Sequence, residues 1–302
     1  MLFTIPGASP LYLSFPLADE TCDRFPIFKH LDPDFPLIAN GLMELATKYQ
    51  VDSLSKRIIS HLQEQWPKSL DEYIRREVAI KLWAKRFDAV VGDSGQPPYH
   101  QSAFVDFPEP ASAIRLASHY NIPSVLPAAF YFLSTMGPEH TWKRALKLGF
   151  HSPGERPARW DLLSDENLLR YYRGKYTLAN EYAHIPFVLA TALQDCYLDD
   201  CTGDFHTEAS IIEAISNGFV TPCRQLLFKL AEEKVVKTEE ILDARSAVEI
   251  AHRANPIMKI AELKEDVESW GLCILCQETV KGALIAKARG LWAELPKIFK
   301  LE

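Results

Sequence analysis

The chain has little glycine, no long apolar run and no excess of basic residues, and each shortage excludes a class of protein. Glycine supplies 13 of the 302 residues against 20 prolines, which disfavours glycine-rich phosphate loops and all-β folds with many tight turns. No apolar run approaches the roughly 18 residues that a membrane-spanning helix needs. The formal net charge is −7, so a basic stripe for phosphate backbones is not expected. We therefore expect neither nucleic acid nor a membrane as a partner.

Cysteine is also too sparse for a disulfide-stapled fold. The six cysteines are scattered along the chain, and the N-terminus lacks the basic segment of a secretory signal. Both features predict an intracellular protein, cytoplasmic or nuclear, in a reducing compartment.

The dominant pattern is a helical period that begins at Leu37. Ser69 and Glu72 form a capping-box pattern before the next helix, and Ser164 marks a further helix start. Proline-, glycine- and serine-rich residues 92–110 predict a surface loop. The first 36 residues differ, with a predicted short strand at 11–15 and a helix at 25–31. We therefore predict a mainly α fold.

One segment of this helical pattern occurs twice. Leu45-Ala46-Thr47-Lys48-Tyr49-Gln50-Val51 is echoed by Leu116-Ala117-Ser118-His119-Tyr120-Asn121-Ile122. We interpret each copy as part of a helical hairpin whose large residues pack into one core, with chance similarity of two amphipathic helix pairs as the alternative. The predicted core and interaction positions of the hairpins are Leu45, Tyr49, Leu54, Leu116, Tyr120 and Leu133.

A C-x-x-C pair, Cys273 and Cys276, is the main candidate for metal chemistry. Zinc needs about four ligands, and the residues that could complete such a site are Cys196, Cys201, His206 and Cys223. The pair is flanked by apolar residues on a predicted helix, and buried cysteines often pack as small hydrophobes. We predict structural packing with no metal and no cofactor, and keep zinc binding and a redox pair as alternatives.

The C-terminal stretch Lys281–Lys300 predicts a basic amphipathic helix that breaks at Pro296. Trp292 and Phe299 are large apolar anchors, so we expect this helix to dock on the protein's own core. Docking on a membrane surface or on a partner helix is the alternative.

Several of these segments resemble the BTB/POZ-domain proteins of mushroom-forming fungi. The residues Leu42 to Leu54, with Arg57, Leu62 and Trp66-Pro67, are similar to the helical hairpin that ends a BTB domain. The segment from Ala113 to Tyr131 is similar to the helices that follow it, and Cys273-x-x-Cys276 with Leu291-Trp292-x-x-Leu295-Pro296-x-x-Phe299 is similar to the family's C-terminal ending.

This resemblance implies an architecture and a role. It implies a partial BTB domain over residues 1–66 (a short strand plus helices), a helical, BACK-like segment over 67–136 and a C-terminal helical region over 137–302. Because about 36 residues precede Leu37, the chain resembles a BTB domain that starts part-way through, and we expect exposed apolar surface near residues 1–35.

The implied function is that of a non-enzymatic protein-interaction module. Such modules commonly act as adaptors, some for cullin-type ubiquitin ligases, and self-association through the BTB part is also implied. We predict that the surface of residues 37–66 and the loop 92–110 contact a protein partner. The alternative is a zinc-binding enzyme or transcription regulator that uses Cys273 and Cys276.

Overall fold

The structure, a computed structural model, describes residues 31–94, 108–148, 156–193, 222–231 and 255–302. Within these ranges every regular element is a helix, and an isolated parallel bridge joins Thr141 to Ala158. The prediction of a mainly α fold is therefore confirmed. Among the described helices, none combines the length and the apolar character needed to cross a bilayer.

The helices follow one another with short connections. Two 3₁₀ turns, Trp160–Leu162 and Val267–Trp270, join longer elements. In chain order the α-helices are α1 (Phe35–Lys48), α2 (Asp52–Glu64), α3 (Leu70–Ser94), α4 (Pro110–His119), α5 (Leu126–Ser134), α6 (Trp142–Leu148), α7 (Asp165–Ala183), α8 (Ile185–Ala192), α9 (Pro222–Ala231), α10 (Pro256–Asp266) and α11 (Ile274–Ile298).

The predicted helix starts are present as side-chain caps. The backbone N–H of Glu72 donates to Ser69 Oγ at 3.2 Å, and the Glu72 carboxylate accepts the N–H of Lys68 at 2.7 Å. Asn167 likewise donates its N–H to Ser164 Oγ at 3.3 Å. Each hydroxyl satisfies a backbone donor that the first helical turn would leave unpaired, and such a cap is worth about 1 kcal/mol. Both capping predictions are confirmed.

The repeated segment forms the end of a helix in both copies. Gln50 and Asn121 adopt left-handed backbone with φ of 56° and 53°. The residue that follows makes an equivalent backbone hydrogen bond in both copies. The N–H groups of Val51 and Ile122 donate at 2.8 Å to the carbonyls of Ala46 and Ala117. This is the Schellman pattern of helix termination. The two helices then turn back as the pairs α1–α2 and α4–α5, which pack through α1 and α4.

A third helix ends in the same way at the C-terminus. Lys300 has φ of 50°, and the N–H of Leu301 donates to the Pro296 carbonyl at 2.8 Å. The sequence of this ending, Leu295-Pro296-Lys297-Ile298-Phe299-Lys300-Leu301, shares the large residues at its first, fifth and seventh positions with the other two. The shared geometry therefore belongs to a helix stop and does not require a duplicated domain.

An aromatic cluster lies at the centre of the core. Phe130 stacks on Phe299 with ring centroids 5.3 Å apart, and the ring of Tyr73 meets that of Tyr131 edge to face at 5.1 Å. The Tyr131 hydroxyl donates to Asn255 Oδ1 at 2.7 Å, while Asn255 Nδ2 donates to the Tyr73 hydroxyl at 2.8 Å. These bonds satisfy the polar ends of two buried tyrosines and fix the start of α10 against α3 and α5.

The irregular segment before α7 is fixed by a buried ion pair. The Arg156 guanidinium donates to both carboxylate oxygens of Glu77 at 2.8 and 2.9 Å, which joins this segment to α3. Glu77 is only 5% exposed, so removing the two charges from water carries a desolvation cost. The two parallel hydrogen bonds between guanidinium and carboxylate offset that cost.

A second buried carboxylate accepts hydrogen bonds both from the start of α4 and from the irregular segment before α7. Glu109 caps α4 by accepting the N–H groups of Ala111 and Ser112 at 2.9 and 2.7 Å, and it accepts the N–H of Arg159 at 3.0 Å. The Arg159 side chain donates to the Pro33 carbonyl at 2.8 Å and pairs with Asp34. Charged groups therefore tie the start of α1, the start of α4 and residues 156–159 together.

The hairpins are not buried equally, and the prediction of a core position is wrong for two of the six residues. Leu45 and Tyr49 are 48% and 66% exposed, whereas Leu116 and Leu133 are fully buried. The other two predicted positions, Leu54 and Tyr120, are half-buried against the core. The difference arises because α1 packs against α2 and α4, whereas α4 and α5 also contact the turn at 160–162, α7 and α11.

Two predicted boundaries also need correction. Helix α11 does not break at Pro296 but continues to Ile298, so the proline, which cannot donate a backbone hydrogen bond, lies inside the last turn of the helix. Both ends of the predicted loop at 92–110 belong to helices, since α3 reaches Ser94 and α4 begins at Pro110. Residues 95–107, the predicted strand at 11–15 and most of the predicted helix at 25–31 lie outside the described residues.

The C-terminal helix docks on the protein's own core, as expected. Leu284, Leu291 and Leu295 are buried, Phe299 just beyond the helix is completely buried, and Trp292 packs beside Tyr73 at 5.4 Å.

Candidate functional site

Three cysteines from two helices converge in the described part of the chain. The Sγ atoms of Cys223, Cys273 and Cys276 all lie within 4.8 Å of one another. The three residues are 0%, 7% and 1% exposed, so the cluster is enclosed by protein. The backbone N–H of Cys273 donates to Cys223 Sγ at 3.3 Å, which ties the two helix starts together directly.

Local structure places each sulfur at the beginning of a helix. Cys273 is the residue immediately before α11, with extended backbone, and Cys276 lies in its first turn. Cys223 lies in the first turn of α9. A left-handed Gly271, with φ of 73°, ends the preceding 3₁₀ turn and lets the chain reverse into α11. The amide dipoles at both helix starts favour negative charge, and a thiolate carries such a charge.

The first turn of α11 exposes its larger apolar residues and buries its sulfurs. Ile274 and Leu275, which lie between the two cysteines, are 77% and 57% exposed. The two apolar residues between the cysteines therefore face outward, whereas Trp270 and Leu272 just before them are buried. Three convergent thiols supply soft donors of the kind that zinc prefers.

Three of the four residues predicted as further metal ligands, Cys196, Cys201 and His206, lie outside the described residues. The fourth, Cys223, is the one that the structure brings to Cys273 and Cys276. No sequence spacing distinguished it, because it is 50 residues from Cys273.

A second feature is a small apolar patch at the end of α1, formed by Leu45, Tyr49 and Val51. These residues are 48%, 66% and 38% exposed, and the Lys48 ammonium stands 5.4 Å from the centre of the Tyr49 ring. The patch lies within residues 37–66, the surface predicted from the sequence to contact a protein partner. Aromatic residues such as tyrosine are enriched at the centre of protein interfaces, whereas lysine is more typical of the polar rim.

An open groove runs between α3, α10 and α11. Its volume is about 680 Å³. The apolar lining includes Ile74, Val78 and Ile285, and an ion pair between Lys81 and Glu262 crosses its rim.

One buried lysine, Lys175, has a strongly perturbed proton affinity, and no sequence pattern marks it. Burial lowers the pKa of Lys175 to about 8, although the charge of Glu139 opposes the shift. The ammonium donates to the Met136 carbonyl and to the Tyr171 hydroxyl, both at 3.0 Å. Burial also raises the pKa of Tyr171, so its hydroxyl stays protonated. The pair joins α7 to the residues after α5.

Comparison with known proteins gives no relative for this chain: no protein-family model, no curated protein and no solved structure matches it.

Proposed function

We propose that the chain is a non-enzymatic protein-interaction module of the BTB/POZ type, with its contact surface at the end of α1. The observation that carries the proposal is the exposure of Leu45 and Tyr49. Their counterparts in the second hairpin, Leu116 and Tyr120, are buried and half-buried in the same local geometry. Two hairpins with similar sequences thus differ in whether their outer face is covered.

The physical argument is the cost of leaving such a surface in water. Burying a large apolar side chain is worth about 1.5–3 kcal/mol, and tyrosine is among the residues that most often dominate the binding energy of an interface. The resemblance of residues 42–67 to the hairpin that ends a BTB domain supports a protein as the partner. It also supports the partner classes of that family, a second copy of the chain or a cullin-type scaffold.

The test compares two matched pairs of exposed residues. In the first variant, Leu45 and Tyr49 on α1 become serine. In the control, Leu169 and Tyr176 on α7, which are 49% and 71% exposed, become serine. All four side chains are exposed, and a surface substitution usually changes the free energy of unfolding by no more than about 0.5 kcal/mol. Both variants should therefore unfold at close to the wild-type temperature.

The measurements are sedimentation equilibrium for self-association and binding of a purified cullin N-terminal region. We expect the wild-type chain and the α7 control to show at least one of these associations, and the α1 variant to lose it. A wild-type chain that remains monomeric and binds no cullin would contradict the adaptor proposal. Loss in the α7 control alone would contradict the assignment of the surface to α1.

A further inference from the structure

We propose that Cys223, Cys273 and Cys276 hold a zinc ion that stabilises the packing of α9 against the start of α11. The observation is the juxtaposition of three buried sulfur atoms, all within 4.8 Å of one another, at the first turns of two helices. This inference is independent of the proposed protein-interaction function, since the α1 patch contains none of these residues.

The distances fit a tetrahedral thiolate site. Sulfur atoms bound to one zinc ion at about 2.3 Å stand about 3.8 Å apart. The three Sγ atoms lie within 4.8 Å, so adjustments of about 1 Å or less, of the size that side-chain rotation provides, bring them to bonding positions. Structural zinc sites use C-x-x-C pairs and four ligands, so the three cysteines would supply three of the four coordination positions.

The surroundings favour the charged form that a metal requires. Binding removes a proton from each thiol, so three protons are released and the ion with three thiolates carries one net negative charge. The N–H of Cys273 already donates to Cys223 Sγ at 3.3 Å, and the starts of α9 and α11 direct their backbone dipoles toward the site. Such N–H donors to sulfur are the contacts that orient metal-bound thiolates.

Simple apolar packing explains the site less well. The first turn of α11 exposes Ile274 and Leu275 and buries the sulfurs between which they lie. A turn selected for packing alone would bury its branched residues, because each removes more apolar surface from water than a thiol does. A single disulfide would join two of the sulfurs and leave the third outside the bond.

The burial also indicates what the ion does. Catalytic zinc keeps an open position that substrate reaches, whereas the three sulfurs here are at most 7% exposed by residue. We therefore assign the ion a stabilising role, and the coordination number can be read from X-ray absorption at the zinc edge.

The first experiment is metal analysis of the full chain expressed with added zinc and purified under reducing conditions. We expect about one zinc per chain, the stoichiometry of a single structural site. The variants Cys223→Ser and Cys276→Ser should each fall below about 0.2 zinc per chain, while Ile274→Ser, which changes an exposed side chain between the two cysteines of α11, should keep the wild-type content. Zinc-free wild-type protein, or equal zinc in the cluster variants, would overturn the proposal.

A second measurement covers the case in which a cluster variant fails to fold. A chelator added to wild-type protein should lower its unfolding temperature, and readdition of zinc should restore it. Cobalt should replace zinc and give a thiolate-to-cobalt charge-transfer band in the wild-type chain. An unfolding temperature insensitive to chelator and to zinc, or a mass that shows an oxidised Cys273–Cys276 pair under the same reducing conditions, would reject the site.

Discussion

The ring of Phe299 occupies the space that a side chain on Gly174 would need. A Cβ built on Gly174 would stand 2.0 Å from Phe299 Cε1, far inside van der Waals contact. Phe299 is completely buried, and its ring stacks on Phe130 with centroids 5.3 Å apart. The closest approach between α7 and the end of α11 therefore depends on a residue without a Cβ.

This relationship predicts that Gly174→Ala destabilises the protein. Alanine in a helix interior normally stabilises by about 0.5–1 kcal/mol relative to glycine. Overpacking a close contact costs about 1–3 kcal/mol, and Phe299 is completely buried and stacked on Phe130, which limits its freedom to move aside. We expect the overpacking to win, with a net loss of about 1 kcal/mol or more in the free energy of unfolding measured with urea.

Two glycines in α11 give a matched control. A Cβ added at Gly282 or Gly290 would meet nothing within 4 Å, so replacement of either by alanine should stabilise by about 0.5–1 kcal/mol. Combining Gly174→Ala with Phe299→Leu should cost less than the sum of the two single changes, because the smaller side chain relieves the overlap. An equal stabilisation by Gly174→Ala and Gly282→Ala would disprove the contact.

The three similar helix ends predict a graded response to glycine. Gln50, Asn121 and Lys300 are exposed and hold positive φ at the position where glycine is most often found. Left-handed backbone costs an ordinary L-residue about 1–2 kcal/mol, and asparagine less. Thermal unfolding should show Gln50→Gly and Lys300→Gly stabilised by about 1 kcal/mol, and Asn121→Gly changed by less than about 0.5 kcal/mol. Equal effects at Gln50 and Asn121 would contradict the assignment of strain.

Local features of the fold could be predicted from the sequence because their causes are local. The Ser69 and Ser164 caps each need a hydroxyl and a backbone N–H three residues later, and both lie within one helical turn. Helical periodicity similarly requires only the order of apolar residues. The C-x-x-C pair could be recognised for the same reason.

Features that depend on distant neighbours could not be predicted. Leu45 and Leu116 occupy equivalent places in similar segments, yet one is 48% exposed and the other 1%, because the second hairpin has helices on more sides. Cys223 joins Cys273 only through the packing of α9, a relationship across 50 residues of chain. The Glu77–Arg156 pair spans 79 residues and has no local sequence signature.

The buried ammonium of Lys175 makes the stability of the fold depend on pH. Burial lowers its pKa from 10.5 to about 8, so between these values the folded protein binds fewer protons at this site than the unfolded chain does. Stability rises with pH wherever the unfolded state binds more protons, so this group contributes an increase from about pH 8 upward. The slope is at most about 1.4 kcal/mol per pH unit.

Replacement of Lys175 by methionine should remove that increase. We expect the free energy of unfolding in urea to increase more for the wild type than for Lys175→Met between about pH 8 and 10. The gain ends near pH 10.5, the ordinary pKa of lysine, at which the unfolded chain also loses this proton. The raised pKa of Tyr171 lowers the stability of both proteins once unfolded tyrosine ionises, near pH 10. Lys143→Met, which removes an exposed lysine and changes the net charge equally, should keep the wild-type dependence. If the difference between wild type and Lys175→Met is the same at pH 7 and pH 9.5, the ammonium does not titrate in this range and the assigned burial effect is wrong.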